Sequence, residues 1–193
     1  MSGKEQDFIK EAFDTNWVVP LGPNVNAFEK SLQDFLIENG KLKIENEGKQ
    51  VVALSAGTAA LHLGLILLGV QAGDEVICQS FTFCASANPV TYLGATAVFV
   101  DSEEDTWNMN PVLLEEAIRD RIAKTGREPK AIIPVHLYGM PAKMDEICAV
   151  AEKYGIPVLE DAAEALGSEY KEQKCGTFGK FGALSFNGNK MIT

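Results

Sequence analysis

The chain has 193 residues, 46% of them apolar, which bounds it to one domain or one large piece of a bigger protein and excludes a disordered segment. Its 17 Lys and Arg against 27 Asp and Glu leave a net charge of −10, and no basic cluster marks a nucleic-acid face. The four cysteines, Cys78, Cys84, Cys148 and Cys175, form no CxxC pair or metal-ligand spacing, so they read as reduced thiols of a cytoplasmic protein, with no metal site.

The start, MSGKEQDFIKEAFD, is polar and amphipathic and is no signal peptide. It predicts a short helix over 7–13. The stretch NWVVPLGPNVN, with two prolines and a glycine, is an extended loop. A second helix follows over 25–38, with Val25, Phe28, Leu32, Phe35 and Leu36 on one face. ENGKLKIENEGKQ is a polar turn region. Residues 1–40 thus form an N-terminal helical segment with a loop, and 41–193 the main domain.

From there the pattern alternates. Strands are expected over 51–54, 75–79, 95–100, 131–135, 158–160 and 183–186, and helices over 58–68, 84–92, 111–123 and 144–154. Strands alternating with helices imply an α/β domain: a mainly parallel sheet between two helical layers. The uncharged stretches 51–73 and 76–100 are each long enough to span a bilayer, but Gly, Ser, Thr, Asn and Pro break them into short pieces, which favours buried strands and helices and no membrane.

Ligands of such folds sit at the carboxyl ends of the strands. At the first end, LSAGTAAL, Gly57 lets an anion approach and Thr58 caps a helix whose free N–H groups form a phosphate seat, or the stretch is an ordinary capped helix. At the second, SFTFCAS, Phe81 or Phe83 could cover a flat heteroaromatic ring, or both are core. At the third, VLEDAAEALGS, Glu160, Asp161 and Glu164 follow a buried strand. Asp161 sits where a carboxylate needs a cationic partner, such as a protonated pyridine nitrogen, or it caps a short helix. At the fourth, LSFNGNKMIT, Lys190 lies in apolar, Gly-rich surroundings that favour the neutral amine needed for Schiff-base chemistry, and Ser185 offers a phosphate a hydroxyl. The alternative is a surface lysine. Together the four ends hold the parts of a pyridoxal 5'-phosphate site. The two histidines, His62 in a helix and His136 in HLYG, read as structural.

The phrases SAGTAALHLGL, AGDEVI, SFTFCASANPVTYLGATAVFVD, HLYGMPAKMDEI, VLEDAAEALGSEYK and GTFGKFGALSFNGNKMIT resemble the DegT/DnrJ/EryC1/StrS family of sugar aminotransferases, from about Asn16 to Thr193. The resemblance implies the large domain of a fold type I pyridoxal-phosphate enzyme, with the C-terminal small domain absent. It implies that Lys190 joins the cofactor and moves the proton. It also implies that Asp161 pairs with the pyridine nitrogen and that Gly57, Thr58 and Ser185 hold the phosphate. Phe83 would stack on the ring. Glu164 would lie near the ring hydroxyl, where many relatives carry Gln or His, and a carboxylate there is repulsive unless protonated or water-separated.

Asn16, Trp17, Val18, Val19 and Asn187 would line a sugar pocket. The phrases NWVVPLG, EDAAEALGS and SFNGNK look most like the branch that aminates a UDP-linked 4-keto-6-deoxy-N-acetylglucosamine for bacillosamine-type sugars, with glutamate as donor in a ping-pong reaction. Members of the family are longer than this chain and form active sites between two subunits. A homodimeric parent, an incomplete sheet with exposed apolar surface, and weak or no activity of these residues alone are therefore expected. The alternatives are a non-catalytic cofactor-binding fragment or another fold type I enzyme.

Overall fold

The computed structural model describes residues 3–37 and 50–192. The chain divides into two compact units, residues 1–53 and 54–193. The expected boundary at residue 40 lies outside the described residues, as does nearly all of the turn region 38–50.

The first unit carries α1 (Glu5–Asp14) and α2 (Pro23–Ile37). Each holds an i,i+4 lysine–aspartate pair, Lys10 with Asp14 and Lys30 with Asp34. Only Leu32 of the apolar face expected on α2 is fully buried. The loop between the helices folds on Trp17. Asn16 takes a left-handed conformation (φ 53°), and the Trp17 indole N–H donates to the Leu21 carbonyl at 2.5 Å. Gly22 is required there: a Cβ would lie 1.9 Å from the indole nitrogen. Residues 51–54, expected as a strand, join no ladder among the described residues. Ala53 instead donates its N–H to Glu29 at 2.8 Å, and Val52 and Leu54 stay exposed.

The second unit is a three-layer α/β/α arrangement. It contains α3 (Gly57–Leu67), β1 (Glu75–Gln79), α4 (Asn88–Tyr92), β2 (Thr96–Val100), α5 (Pro111–Thr125), β3 (Ala131–Ile133), α6 (Met144–Tyr154), β4 (Leu159–Asp161), β5 (Glu169–Tyr170), β6 (Gln173–Lys174) and β7 (Phe181–Ala183). β1 pairs in parallel with β2 and β3, and β4 with β7. Parallel bridges Ile132–Val158 and Val135–Asp161 join the two ladders, so the strands run in the order β2-β1-β3-β4-β7.

Successive strand side chains alternate between the two faces. Val76, Cys78, Ala131 and Ile133 pack with Leu61 and Leu65 of α3 and Val90 of α4. Ile77 and Ile132 pack with Leu114 and Ile118 of α5 and Ile147 of α6. Burial on both faces is why these strands read as unbroken apolar runs. Arg121 of α5 clamps Glu75 of β1 with two bonds, at 2.7 and 2.9 Å. The outer face of α3 leaves Leu63, Ile66 and Leu67 exposed.

Three further expected elements change, two of them at prolines. β3 stops at Ile133 because Pro134 has no N–H to give the ladder. The helix expected over 84–92 breaks into a 3-10 turn, Cys84–Ser86, and α4, because Pro89 cannot bond back to residue 85. β7 occupies 181–183 rather than 183–186, in register with Leu159–Asp161. Leu184–Phe186 then runs beyond the ladder and leads to Lys190. β5 and β6 form a hairpin not expected from sequence. Its turn residues Lys171 and Glu172 both have positive φ, the backbone a two-residue hairpin favours, although neither is Gly or Asn.

Candidate active site

The carboxyl ends of β1, β3, β4 and β7 open onto one edge of the sheet, and their loops carry most of the candidate residues. The β4 end is the centre. Asp161 is buried, 5% exposed, and its carboxylate takes two neutral donors: Ser86 Oγ–H at 2.5 Å and the Ala163 N–H at 3.2 Å. It pairs with no cation among the described residues. Burial pushes the Asp161 carboxyl above its ordinary value, and the Ser86 and Ala163 bonds and the charge of Lys190 pull against it. A buried carboxylate without a cation is costly, and the site accepts a cationic ligand at little further cost.

Lys190 reaches the same edge. A turn from Asn187, closed by the Lys190 N–H on the Asn187 carbonyl at 2.8 Å, carries it. Its ammonium pairs with Glu164 Oε1 at 3.0 Å, and Glu164 Oε2 accepts the Tyr138 N–H at 2.9 Å. The Tyr138 turn comes from the β3 end and closes tightly, with positive φ at Tyr138 and Gly139. A Cβ on Gly139 would lie 2.9 Å from the Glu164 carbonyl. Lys190 is therefore a half-buried, paired amine rather than a loose surface lysine.

Gly57 and Ser185 meet. A Cβ on Gly57 would stand 3.2 Å from Ser185 Cβ and 3.5 Å from Ser185 Oγ. α3 begins at Gly57 with Ala56 as its N-cap, which offers no side-chain oxygen. This corrects the reading of Thr58 as the cap: it lies inside the first turn, and the cap-free first-turn N–H groups start beside Ser185. Uncapped donors, a positive dipole end and a hydroxyl are what an anion needs.

Phe83 is 70% exposed and Phe81 46%, so neither is core. Phe81 sits edge-on to Trp107, with centroids 6.1 Å apart. The loop bearing Phe83 is tied to the β4 end through the Ser86–Asp161 bond. Asn187 is exposed and donates from its side chain to Asn189 Oδ1 at 2.8 Å. Asn16, Trp17, Val18 and Val19 lie in the first unit, in the loop after α1.

Sequence reasoning missed the frame behind these groups. Glu160, fully buried, accepts from His136 Nε2 at 3.0 Å, Gly176 N–H at 2.8 Å and Gly179 N–H at 2.6 Å. Because Ala142 N–H donates to His136 Nδ1 at 3.1 Å, the ring carries its proton on Nε2. Gln79 and Asn108, both fully buried, stitch the β1 end to the Phe81 carbonyl, the Met109 and Leu137 N–H groups and the Met140 carbonyl. His136 is thus structural, as expected, and half-buried His62 lies edge-on to Tyr92 at 5.5 Å.

The comparisons with known proteins fit this geometry. Residues 1–193 match the family described as the DegT/DnrJ/EryC1/StrS aminotransferase family. The chain belongs to that family. It is 54% identical over 194 residues to EpsN of Bacillus subtilis (strain 168), which is described as a candidate pyridoxal phosphate-dependent aminotransferase; the match covers 100% of this chain and 47% of EpsN. It is 42% identical to the GDP-perosamine synthase of Caulobacter vibrioides, over 100% of this chain and 47% of that protein.

Among solved structures, a DegT DnrJ EryC1 StrS aminotransferase from Brucella abortus superposes with a TM-score of 0.88 at 38% identity, covering 97% of this chain and 48% of that one. NtdA from Bacillus subtilis, with its cofactor PMP bound, superposes with a TM-score of 0.79 at 31% identity, over 100% of this chain and 40% of NtdA. The chain spans about half the length of the curated relatives it matches. The fold is that of the pyridoxal-phosphate aminotransferases, and the site residues fit such a cofactor. The Gly57–Ser185 contact suits an anion, buried Asp161 suits a protonated ring nitrogen, and Lys190 supplies an amine.

Proposed function

We propose that this protein is a pyridoxal-phosphate-dependent aminotransferase that moves an amino group from glutamate to the C4 keto group of a nucleotide-linked 4-keto-6-deoxy sugar. The observation that carries the reading is the meeting, at one sheet edge, of a carboxylate-paired lysine (Lys190–Glu164, 3.0 Å) and a buried carboxylate that pairs with no cation among the described residues (Asp161). We further propose a cytoplasmic homodimer. Among the described residues no helix is long and apolar enough to cross a membrane.

When bound, pyridoxal phosphate supplies an electron sink for a developing carbanion. The chain's residues do the rest. Lys190, once deprotonated, would act as the nucleophile and would carry a proton to and from the substrate carbon. Asp161 would keep the ring nitrogen of a bound cofactor protonated. The Gly57 and Thr58 N–H groups and the Ser185 hydroxyl would hold its phosphate, and Phe83 would cover its ring. The two oxygens of Glu164 accept from Lys190 and the Tyr138 N–H, so it orients the lysine from the Tyr138 turn. Asn16–Val19 and Asn187 are proposed sugar contacts.

The test is to incubate the full-length protein with glutamate and a panel of nucleotide ketosugars, and to read amino-sugar formation by mass spectrometry. Amination of a UDP-linked 4-keto sugar supports the assignment. Amination of none overturns it.

A further inference from the structure

The Asp161 carboxylate has a hydroxyl chain behind it. Ser86 is fully buried, and its Oγ lies 2.5 Å from Asp161 Oδ2 and 2.7 Å from Thr82 Oγ1. An ionised carboxylate only accepts, so Ser86 must donate to it. Ser86 has one hydroxyl proton, and that proton is then spent. Thr82 must therefore donate to Ser86, and the chain has one direction: Thr82 to Ser86 to Asp161. At 2.5 Å the last link has the length of a charge-assisted O–H···O⁻ bond, the stronger class. Bonds in a buried chain polarise one another in the same sense.

We propose that Ser86 and Thr82 are positioning residues that hold Asp161 ionised and aimed for a cationic ring nitrogen. The assignment rests on the cofactor reading above. The groups facing Asp161 are few. The Ala163 N–H donates to Oδ1, and the charge of Lys190 and the ring of His136 favour the carboxylate, while burial opposes it. Burial pushes Cys78 up to about 12, with Asp161 adding to the shift, so this thiol is a neutral neighbour. Lys190 is itself paired with Glu164, so the hydroxyl chain is the direct donor set on Oδ2. The chain also anchors the loop that carries Phe83: Thr82 and Ser86 bracket Phe83, so the same bonds that fix the carboxylate tie this loop to the β4 end.

The experiment uses the full-length protein and compares pyridoxal phosphate with its 1-deaza analogue, which lacks the ring nitrogen. Wild type, Ser86→Ala, Ser86→Thr and the near-isosteric Thr82→Val are titrated with both. Ser86→Ala is expected to weaken pyridoxal phosphate about tenfold, the loss carried by one charge-assisted hydrogen bond, and to leave the deaza analogue unchanged. Thr82→Val should show a smaller loss of the same kind, and Ser86→Thr should restore binding.

In the cofactor-free protein, ¹³C NMR should show the Asp161 carboxyl titrating at higher pH in Ser86→Ala than in wild type. Equal loss of both compounds, or an unmoved Asp161 titration, overturns the relay while leaving the cofactor reading in place. A wild type that binds neither compound overturns the cofactor reading itself, and the NMR titration then still decides whether the relay acts on Asp161. Should Ser86→Ala not fold, Thr82→Val carries both readouts.

Discussion

β4 carries two buried carboxylates side by side, and they are provided for in opposite ways. Glu160 takes three fixed donors, two backbone N–H groups from the loop before β7 and one imidazole N–H. Asp161 takes one hydroxyl and one long backbone bond. Neighbouring strand residues point to opposite faces, so the two serve different regions. Glu160 staples the 176–179 loop, and through it the strand that delivers Ser185 and Lys190. Asp161 faces the 80s loop and pairs with no cation among the described residues. A carboxylate saturated with donors by its own chain is architecture, and one left with fewer donors is a place for a ligand.

The contrast breaks most sharply at Lys190. Lys190→Ala should lower amino transfer by at least about 10²–10⁴-fold, the range for losing a positioned proton carrier, with the fold intact by circular dichroism. Glu160→Ala should do the reverse. Two N–H groups and His136 lose their partner, and unfolding by urea should show a loss of about 3–5 kcal/mol. Gly57→Ala crowds Ser185 and should cost about 1–3 kcal/mol, with weaker phosphate inhibition than wild type.

Asp161→Asn sharpens the comparison from the other side. The cofactor-free protein should keep its stability within about 1 kcal/mol, because the amide loses a bonded but cation-poor charge. A loss as large as that of Glu160→Ala would erase the distinction.

The smallest effect is one of pH, away from the site. Burial alone would raise the Glu103 carboxyl, but the Thr106 hydroxyl, Lys143 and the N–H groups of Asp105 and Thr106 outweigh it and bring it down to about 2. Its folded value lies below its unfolded value, so its stabilisation is complete above about 4.5 and is lost as pH falls towards 2. Glu103→Gln should flatten that part of the urea-midpoint profile.

The alternation of strands and helices was legible because burial on both faces leaves unbroken apolar runs, and Gly57, Asp161 and Lys190 stood out as special residues at strand ends. The shortened β3 and the broken 84–92 helix were legible too, had Pro134 and Pro89 been weighed. The frame was not. Glu160 bonds to residues 16, 19 and 24 positions away, and Gln79 meets Asn108 across 29, distances at which local pattern carries no signal. Positive φ at Tyr138, a bulky residue, was equally hidden, since its N–H is held by Glu164, 26 positions away. Ser86, placed by sequence in the expected 84–92 helix and given no role, is the hydroxyl donor to the site's carboxylate.

The most direct measurement is the absorption spectrum of the full-length protein with pyridoxal phosphate, recorded for wild type and Lys190→Ala. The account predicts a band of lysine-linked cofactor in wild type that is missing in the variant. An identical spectrum in both, or no band in wild type, would contradict it.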